Sequence, residues 1–107
     1  MSTEQYNPWI PMSEPIDIKH LGKLTEETGE LVQVICRCLI QGIDGLDPIN
    51  EQESNRDWLT KEIADVLANI DLVVKHFDLD IELIGIRRDR KKKLLRQWHG
   101  MLVKPAK

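Results

Sequence analysis

The stretch that decides the fold class is LGKLTEETGELVQVICRCL, residues 21–39. Its apolar residues recur at spacings of three, four and seven, the periodicity of one face of an α-helix: Leu21, Leu24, Leu31, Ile35 and Leu39. We expect this helix to begin near Asp17, which is a suitable N-terminal cap, and to end at residue 41, with Gly42 stopping it. The stretch therefore predicts a long amphipathic helix.

Two further segments have helical character. Residues 56–77 carry a second apolar stripe, made of Leu59, Ile63, Val66, Leu67, Ile70, Val74 and Phe77. A third helix is expected from its cap Asp80 to about Trp98, with Gly100 as the C-terminal cap. We therefore predict an all-α fold, a helical bundle of three main helices per chain. Three helices leave apolar surface uncovered, so we expect oligomerisation to complete a four-helix-type core.

Length and composition limit the domain organisation. A chain of 107 residues has room for one domain. We expect an extended N-terminal arm over residues 1–16, where prolines such as Pro15 exclude a regular helix, a helical domain over residues 17–100, and a C-terminal tail over residues 101–107. The connection at residues 42–55 is rich in Gly, Asp and Asn, which is typical of a loop.

Charge and hydropathy narrow the class of partner. The net charge of −3 makes nucleic acid an unlikely general partner, since neutralising phosphates requires a basic surface. The chain starts without the basic and apolar regions of a signal peptide, and no stretch approaches the roughly 20 apolar residues that span a bilayer. We therefore expect a cytoplasmic protein that does not enter the membrane, with Cys36 and Cys38 reduced.

The most informative residues of the helices are acidic. Glu26, Glu27 and Glu30 form the pattern E-E-x-x-E on the first helix, and Glu62 and Asp65 form E-x-x-D on the second. Residues three apart are neighbours on a helix surface, so Glu27/Glu30 and Glu62/Asp65 each form a carboxylate pair. Like charges at this spacing repel each other and cost stability unless a cation lies between them.

The two pairs are expected to meet. Each lies on a flank of its helix's apolar stripe, and packing the two helices antiparallel brings such flanks together. Four carboxylates between two helices offer the hard oxygen ligands that Mg²⁺ and Mn²⁺ prefer. The alternative is a solvated acidic face. Periodicity alone favours a hard-metal site but does not exclude the solvated face.

The two acidic motifs, with their apolar context, resemble a known family. KLTEETGELVQ at residues 23–33 and KEIADVLANIDLVV at residues 61–74 are similar to the MazG-type nucleotide pyrophosphohydrolases. These belong to the all-α NTP pyrophosphatase superfamily, which also contains the dimeric dUTPases. The resemblance covers about residues 19–97, and so makes the helical domain MazG-like. It implies Mg²⁺, with Mn²⁺ as an alternative ion, bound by Glu27, Glu30, Glu62 and Asp65.

The family's activity gives the expected function. The resemblance implies hydrolysis of a nucleoside triphosphate, NTP or dNTP, to the monophosphate and pyrophosphate by a homodimer or homotetramer. Glu26 or Glu30 would position or deprotonate the attacking water. Within the superfamily, the alternative is a dUTPase-like or phosphoribosyl-ATP pyrophosphohydrolase-like relative. From another class, the alternative is a non-catalytic helical protein-binding module with solvated acidic flanks.

Substrate contacts are expected from basic and polar side chains. Seven of the ten residues from 87 to 96 are Lys or Arg, and Arg88, Lys92 and Arg96 recur every four residues on one face, where they are candidate phosphate ligands. The alternative is a solvated helix end. Lys23 is a further phosphate ligand or simply an ion-pair partner of Glu27, four residues later.

Three other polar or aromatic residues are candidates for contacts with the substrate. Asn69, one turn beyond Asp65, is a candidate hydrogen-bond partner of the base or sugar, or a polar contact between helices. Trp9 and Trp58 are candidates for stacking on the base, although such tryptophans more often serve packing. The three histidines, His20, His76 and His99, show no spacing that suggests a role.

Overall fold

The computed structural model describes residues 8–47, 49 and 52–102, and over these residues the chain is all-α, as predicted. Three helices follow one another: α1 (Pro15–Gln41), α2 (Asn55–His76) and α3 (Ile81–Leu102). The chain divides after His76 into two units, the first containing α1 and α2 and the second containing α3.

The start of α1 differs from the prediction, because a proline begins the helix. Pro15 lies in the first turn, where its fixed φ suits a helix and its missing N–H costs nothing. Glu14 is the N-terminal cap, and its side chain accepts a hydrogen bond of 2.9 Å from the backbone N–H of Asp17. The predictions that Asp17 caps the helix and that Pro15 excludes one were therefore wrong. Residues 1–7 of the predicted arm lie outside the described residues.

The end of α1 is the glycine that the sequence predicted. Gly42 has a φ of 86°, a conformation that side chains other than glycine rarely adopt. Its backbone N–H donates to the carbonyl oxygen of Cys38 at 2.8 Å, which satisfies one of the last carbonyls of the helix. Gly42 therefore both ends α1 and turns the chain toward α2.

The turn from α1 to α2 is held by Asn55, which is only 3% exposed. Its Nδ2 donates to the carbonyl oxygen of Gly42 at 3.0 Å and to Oε1 of Gln41 at 3.3 Å. Its backbone N–H donates to the carbonyl oxygen of Gly45 at 2.9 Å. We call these four residues the turn lock: one buried amide joins the first residue of α2 to the last residue of α1.

Gly45 and the chain beyond it complete this turn. A Cβ at Gly45 would lie 2.6 Å from the carbonyl oxygen of Gln41, so no larger residue fits without moving the backbone. An isolated antiparallel β-bridge joins Leu46 to Ser54 just outside the lock. The turn is thus closed twice at its base, by the lock and by the bridge.

The helices α1 and α2 pack against each other as an antiparallel hairpin. Buried and half-buried residues follow one another along α1 at alternating spacings of three and four, the heptad pattern of paired helices: Asp17, His20, Leu24, Glu27, Leu31, Val34, Cys38 and Gln41. The matching series on α2 is Asn55, Leu59, Glu62, Val66, Asn69 and Val73. We call the surface where these two series meet the seam, and about half of its positions are polar.

The predicted apolar stripes coincide with the seam only in part, at Leu24, Leu31, Leu59 and Val66. Among the described residues, only the apolar side chains of Val34 and Val73 are buried, at 0% and 7% exposure. Leu39, assigned to the stripe of α1, is 81% exposed, and Leu67 on α2 is 55% exposed. This part of the prediction was wrong because the seam runs through polar residues, whereas the stripes were traced through apolar residues alone.

The helix α3 forms the second unit. The backbone N–H of Leu83 donates to Oδ1 of Asp80 at 2.9 Å, so the predicted cap is confirmed. The helix continues past Trp98 to residue 102, so Gly100 lies inside it and does not cap it. Residues 103–107 of the predicted tail lie outside the described residues. No helix within the described part of the chain is long and apolar enough to cross a membrane.

Candidate metal centre

Three of the four carboxylates expected to bind metal come together on the seam. Glu27 and Glu30 from α1 and Glu62 from α2 each offer a carboxylate oxygen, and these oxygens lie within 4.8 Å of one another. Glu27 occupies a heptad position of α1 and is only 8% exposed. We call these three residues the carboxylate cluster. The helix packing brings together the motifs from the two helices, as the sequence predicted.

Two oxygens of this cluster are buried and have no hydrogen-bond partner among the residues that the structure describes. They are Oε2 of Glu27 and Oε2 of Glu62. The second oxygen of each carboxylate is engaged: Oε1 of Glu27 lies 3.4 Å from Nζ of Lys23, and Oε1 of Glu62 accepts a hydrogen bond of 3.2 Å from Nε1 of Trp58. A buried carboxylate oxygen without a partner is costly, so each such atom requires a reason.

The electrostatics of the cluster follow from its like charges. The negative charge of Glu27 is the main cause that raises the pKa of Glu30 above its ordinary value, and desolvation adds to it. Lys23 is the nearby cation: hydrogen bonds to Glu26 and then to Glu27 raise the pKa of its ammonium group, which is therefore charged at neutral pH. Within the cluster this exposed lysine is paired with Glu27, and its other partner is Glu26, so the three clustered carboxylates retain excess negative charge.

The other predicted residues of this region fall outside the cluster. Glu26 is bonded to Lys23 at 2.9 Å and faces solvent. Asp65 is exposed on α2, one turn beyond Glu62, and is not part of the group of three. The Nδ2 of Asn69 donates to the backbone carbonyl oxygen of Asp65 at 2.8 Å. Lys23 forms the ion pair with Glu27 that is one of the two alternatives predicted for it.

Trp58 has a role in this region that sequence analysis missed. It was considered for stacking on a base, but its indole N–H is bonded to Glu62, one helical turn along α2. This bond engages Oε1 of Glu62, whereas Oε2 of the same carboxylate takes no part in it. The i, i+4 spacing of Trp58 and Glu62 was visible in the sequence and would have suggested this contact.

A group of one histidine and two carboxylates lies at the end of the hairpin where α1 begins and α2 ends. Nε2 of His76 donates to Oδ1 of Asp17 at 2.6 Å, and ligand atoms of Glu14, Asp17 and His76 lie within 4.8 Å of one another. The ring of His76 also stacks on that of His20, with centroids 4.1 Å apart and planes inclined at 21°. We call Glu14, Asp17 and His76 the His–Asp cluster. No role is predicted for either histidine from the sequence, because their contact joins the beginning of α1 to the end of α2.

The basic residues of α3 belong to the second unit. Nε of Arg88 lies 3.5 Å from Oδ1 of the exposed neighbour Asp89. A shallow groove of about 210 Å³ lies instead on another face of the helix, lined by Arg87, Arg90, Lys91 and Leu94. The predicted phosphate contacts of Arg88, Lys92 and Arg96 stay a prediction, and the groove adds a competing basic face.

Models of known protein families, characterised proteins and solved structures gave no match to the chain.

Proposed function

We propose that the chain is a Mg²⁺-dependent nucleotide pyrophosphohydrolase, which hydrolyses a nucleoside triphosphate to the monophosphate and pyrophosphate. One observation carries the metal-dependent part of this proposal: two buried carboxylate oxygens on facing helices, Oε2 of Glu27 and of Glu62, have no hydrogen-bond partner. The reaction type comes from the resemblance of the E-E-x-x-E and E-x-x-D motifs to the MazG-type enzymes.

The donor atoms of the cluster fit a hard divalent cation. All are carboxylate oxygens, the ligands that Mg²⁺ and Mn²⁺ prefer, and no thiol or imidazole belongs to the group. Glu27, Glu30 and Glu62 would hold the ion, and Asp65, one turn from Glu62, is the fourth ligand that the resemblance implies. A cation supplies charge that stabilises phosphate oxygens and lowers the pKa of water.

The side chains around the cluster divide the remaining work. Of the two candidates for positioning or deprotonating the water, Glu26 is bonded to Lys23 and faces solvent, so Glu30, which belongs to the cluster, is the better placed. Lys23 lies next to Glu27, where its charged ammonium group can form an ion pair with a phosphate oxygen. Trp58 orients Glu62 through the indole N–H and is therefore a positioning residue.

The proposed assembly is a homodimer or homotetramer in the cytoplasm. Large apolar side chains outside the seam support the assembly, among them Leu39 and Ile40, which are 81% and 79% exposed. Contiguous apolar surface of this kind commonly marks an interface between proteins. Light scattering at micromolar concentration should give a mass of at least two chains, and the mass of a single chain would contradict the assembly.

The test of the function is pyrophosphate release from each common NTP and dNTP, with and without Mg²⁺ or Mn²⁺. We expect release only with a metal ion, and a product analysis that shows the monophosphate. Release of orthophosphate would contradict the reaction type. A chain without activity on any nucleotide or on phosphoribosyl-ATP, but with a stable partner protein, would instead support the non-catalytic helical module.

The same assay tests the predicted phosphate ligands of α3. Arg88→Ala and Lys92→Ala should each lower kcat/KM by roughly 10- to 150-fold, with KM rising at least as much as kcat falls, because charge-assisted bonds are worth about 1.5–3 kcal/mol. Arg87→Ala, on another face, is the control and should be nearly neutral. Equal losses in all three variants would point to a diffuse basic field or to the groove that Arg87 lines.

A further inference from the structure

A pocket lies on the same seam as the carboxylate cluster, toward the beginning of α1. It has a volume of about 190 Å³, and side chains of both helices line it: Ile16, Lys19, His20, Lys23, Asn69 and Leu72. The sequence had marked Lys23 and Asn69 as candidate substrate contacts but gave no reason to place them together. The antiparallel packing of the hairpin brings them to one pocket.

Lys23 links this pocket to the carboxylate cluster. It lines the pocket, and its Nζ lies 3.4 Å from Oε1 of Glu27. On α1, His20 precedes Glu27 by seven residues, and on α2, Asn69 follows Glu62 by seven. At about 1.5 Å of rise per residue, Ile16 and Leu72 at the far side of the pocket lie about 15 Å or more along their helices from Glu27 and Glu62, and His20 and Asn69, in its middle, lie about 10 Å from them. The latter separation is comparable to the length of a nucleoside 5′-phosphate from its phosphate to its base.

The chemistry of the pocket favours a flat, partly apolar ligand. Ile16 and Leu72 contribute aliphatic side chains, more than half of whose surface is exposed, and such surface is unfavourable for a strongly hydrated inorganic anion. The ring of His20 is held by stacking on His76, and the amide of Asn69 is held by its bond to the carbonyl oxygen of Asp65. The faces of a nucleobase are apolar and suit Ile16 and Leu72, and its edges are polar and suit His20 and Asn69.

We propose that this pocket holds the nucleobase of the nucleotide whose phosphates lie at the carboxylate cluster, an inference that rests on the proposed function. Asn69 hydrogen-bonds the edge of the base, while Leu72 and Ile16 contact its face. Lys23, between the pocket and the cluster, lies beside the phosphate nearest the sugar. The pocket then sets the specificity for the base, and the carboxylate cluster determines which phosphate bond is hydrolysed.

The decisive variant is Leu72→Trp, which fills the pocket. It should raise KM for the preferred nucleotide by about 10-fold or more with little change in kcat, since binding of the base is lost equally from the ground and transition states. Binding of the nucleoside 5′-monophosphate, followed by calorimetry, should weaken in parallel, whereas binding of inorganic pyrophosphate with Mg²⁺ should not change. The control is Leu67→Trp on the same helix, because Leu67 is 55% exposed against 54% for Leu72 and does not line the pocket.

Asn69→Ala tests the pocket without filling it. It should raise KM for the preferred base by roughly 3- to 10-fold, the value of one hydrogen bond, and bring it closer to the KM of the other bases. Hydrolysis that is insensitive to both Leu72→Trp and Asn69→Ala would overturn the pocket and leave the function standing. So would a Leu72→Trp variant that changes only the number of associated chains, or one that weakens binding of pyrophosphate and not of the monophosphate. The parent chain could bind the monophosphate and yet hydrolyse no nucleotide. If Leu72→Trp then abolishes this binding, the proposed function is overturned and the pocket stands.

Discussion

The carboxylate cluster and the His–Asp cluster are two groups of three ionisable side chains on the same pair of helices. In each, one ligand atom per residue lies within 4.8 Å of the others. In the His–Asp cluster, the imidazole of His76 is bonded to Asp17, and Glu14 accepts the backbone N–H of Asp17 at the start of α1. In the carboxylate cluster, two oxygens are buried without a hydrogen bond.

This difference shows that closeness of ionisable groups does not identify a binding site. The His–Asp cluster contains its own donors, so it is satisfied within the protein and serves to join the first turn of α1 to the last turn of α2. The carboxylate cluster consists of acceptors when it is ionised, and its two buried oxygens find no donor within the described part of the chain. Breaking the two clusters separately should therefore have different consequences.

The largest effect is expected from Glu62→Gln in the carboxylate cluster. Losing a charged ligand should lower kcat by about 100-fold or more, a loss comparable to that of a main electrostatic contact with the transition state. The variant should also lose the rise in Tm that Mg²⁺ gives the parent by binding the folded state. The control is Asp71→Asn, which removes one negative charge from the same helix outside both clusters. An unchanged response to Mg²⁺ in Glu62→Gln would remove Glu62 from the site.

A smaller effect is expected when only the orientation of Glu62 is disturbed. Trp58→Phe keeps an aromatic ring and removes the N–H bonded to Oε1 of Glu62. Loss of such a supporting hydrogen bond typically weakens metal binding by about 10- to 100-fold, and titration calorimetry with Mn²⁺ would measure it. The same substitution on α3, Trp98→Phe, should leave the affinity unchanged. Equal affinities in the parent and in Trp58→Phe would show that this bond serves only packing.

Disturbing the His–Asp cluster should affect stability and not metal binding. Asp17→Asn removes the carboxylate that His76 bonds, and a loss of roughly 1 kcal/mol in the free energy of unfolding is expected from a partly exposed hydrogen-bonded pair. Urea denaturation measures this loss, and a double-mutant cycle with His76→Ala isolates the pair. The rise in Tm with Mg²⁺ should equal that of the parent. A selective loss of the Mg²⁺ response would show that the two clusters are coupled.

The smallest effect concerns Glu30 in the metal-free protein. Its pKa is raised in the folded state, mainly by the charge of Glu27, so the folded state binds its proton more tightly than the unfolded state does. The resulting stability is present below the ordinary pKa of Glu, about 4.3, and is lost as pH rises through the higher folded value. Without metal, Glu30→Gln should therefore be slightly more stable than the parent at pH 7, and this advantage should shrink toward pH 4. A constant difference in stability across this range would exclude the proposed repulsion.

Local features of the fold could be predicted where one residue type decides the backbone. The all-α class, the stop at Gly42 and the cap at Asp80 follow from helix periodicity and from the chemistry of helix ends. The cap at Asp17 failed because Glu14, three residues earlier, accepts the backbone N–H of Asp17 and starts the helix one turn sooner, with Pro15 in its first turn. Two acceptable caps lay close together, and local propensity did not choose between them.

The membership of the site could be predicted only in part. Glu27, Glu30 and Glu62 were expected together because their spacing and flanking apolar residues placed them between two helices. The seam itself was missed, since its heptad series passes through polar positions such as His20 and Asn69, which a search for apolar periodicity skips. Contacts such as that of Asp17 with His76 depend on the antiparallel pairing of distant segments, which no local pattern encodes.

The double closure of the turn between α1 and α2 has a consequence for length variation in this chain. Asn55 and the bridge between Leu46 and Ser54 tie the base of the loop, so residues inserted between these two bridge positions leave both contacts in place. Extra residues inserted there would lengthen the loop at a cost of only about 0.6 kcal/mol per doubling. One residue inserted between Gly42 and Gly45 would rotate α2 against α1 and separate Glu62 from Glu27. Segment 47–53 is thus the place where a reporter peptide can be added without disturbing the carboxylates.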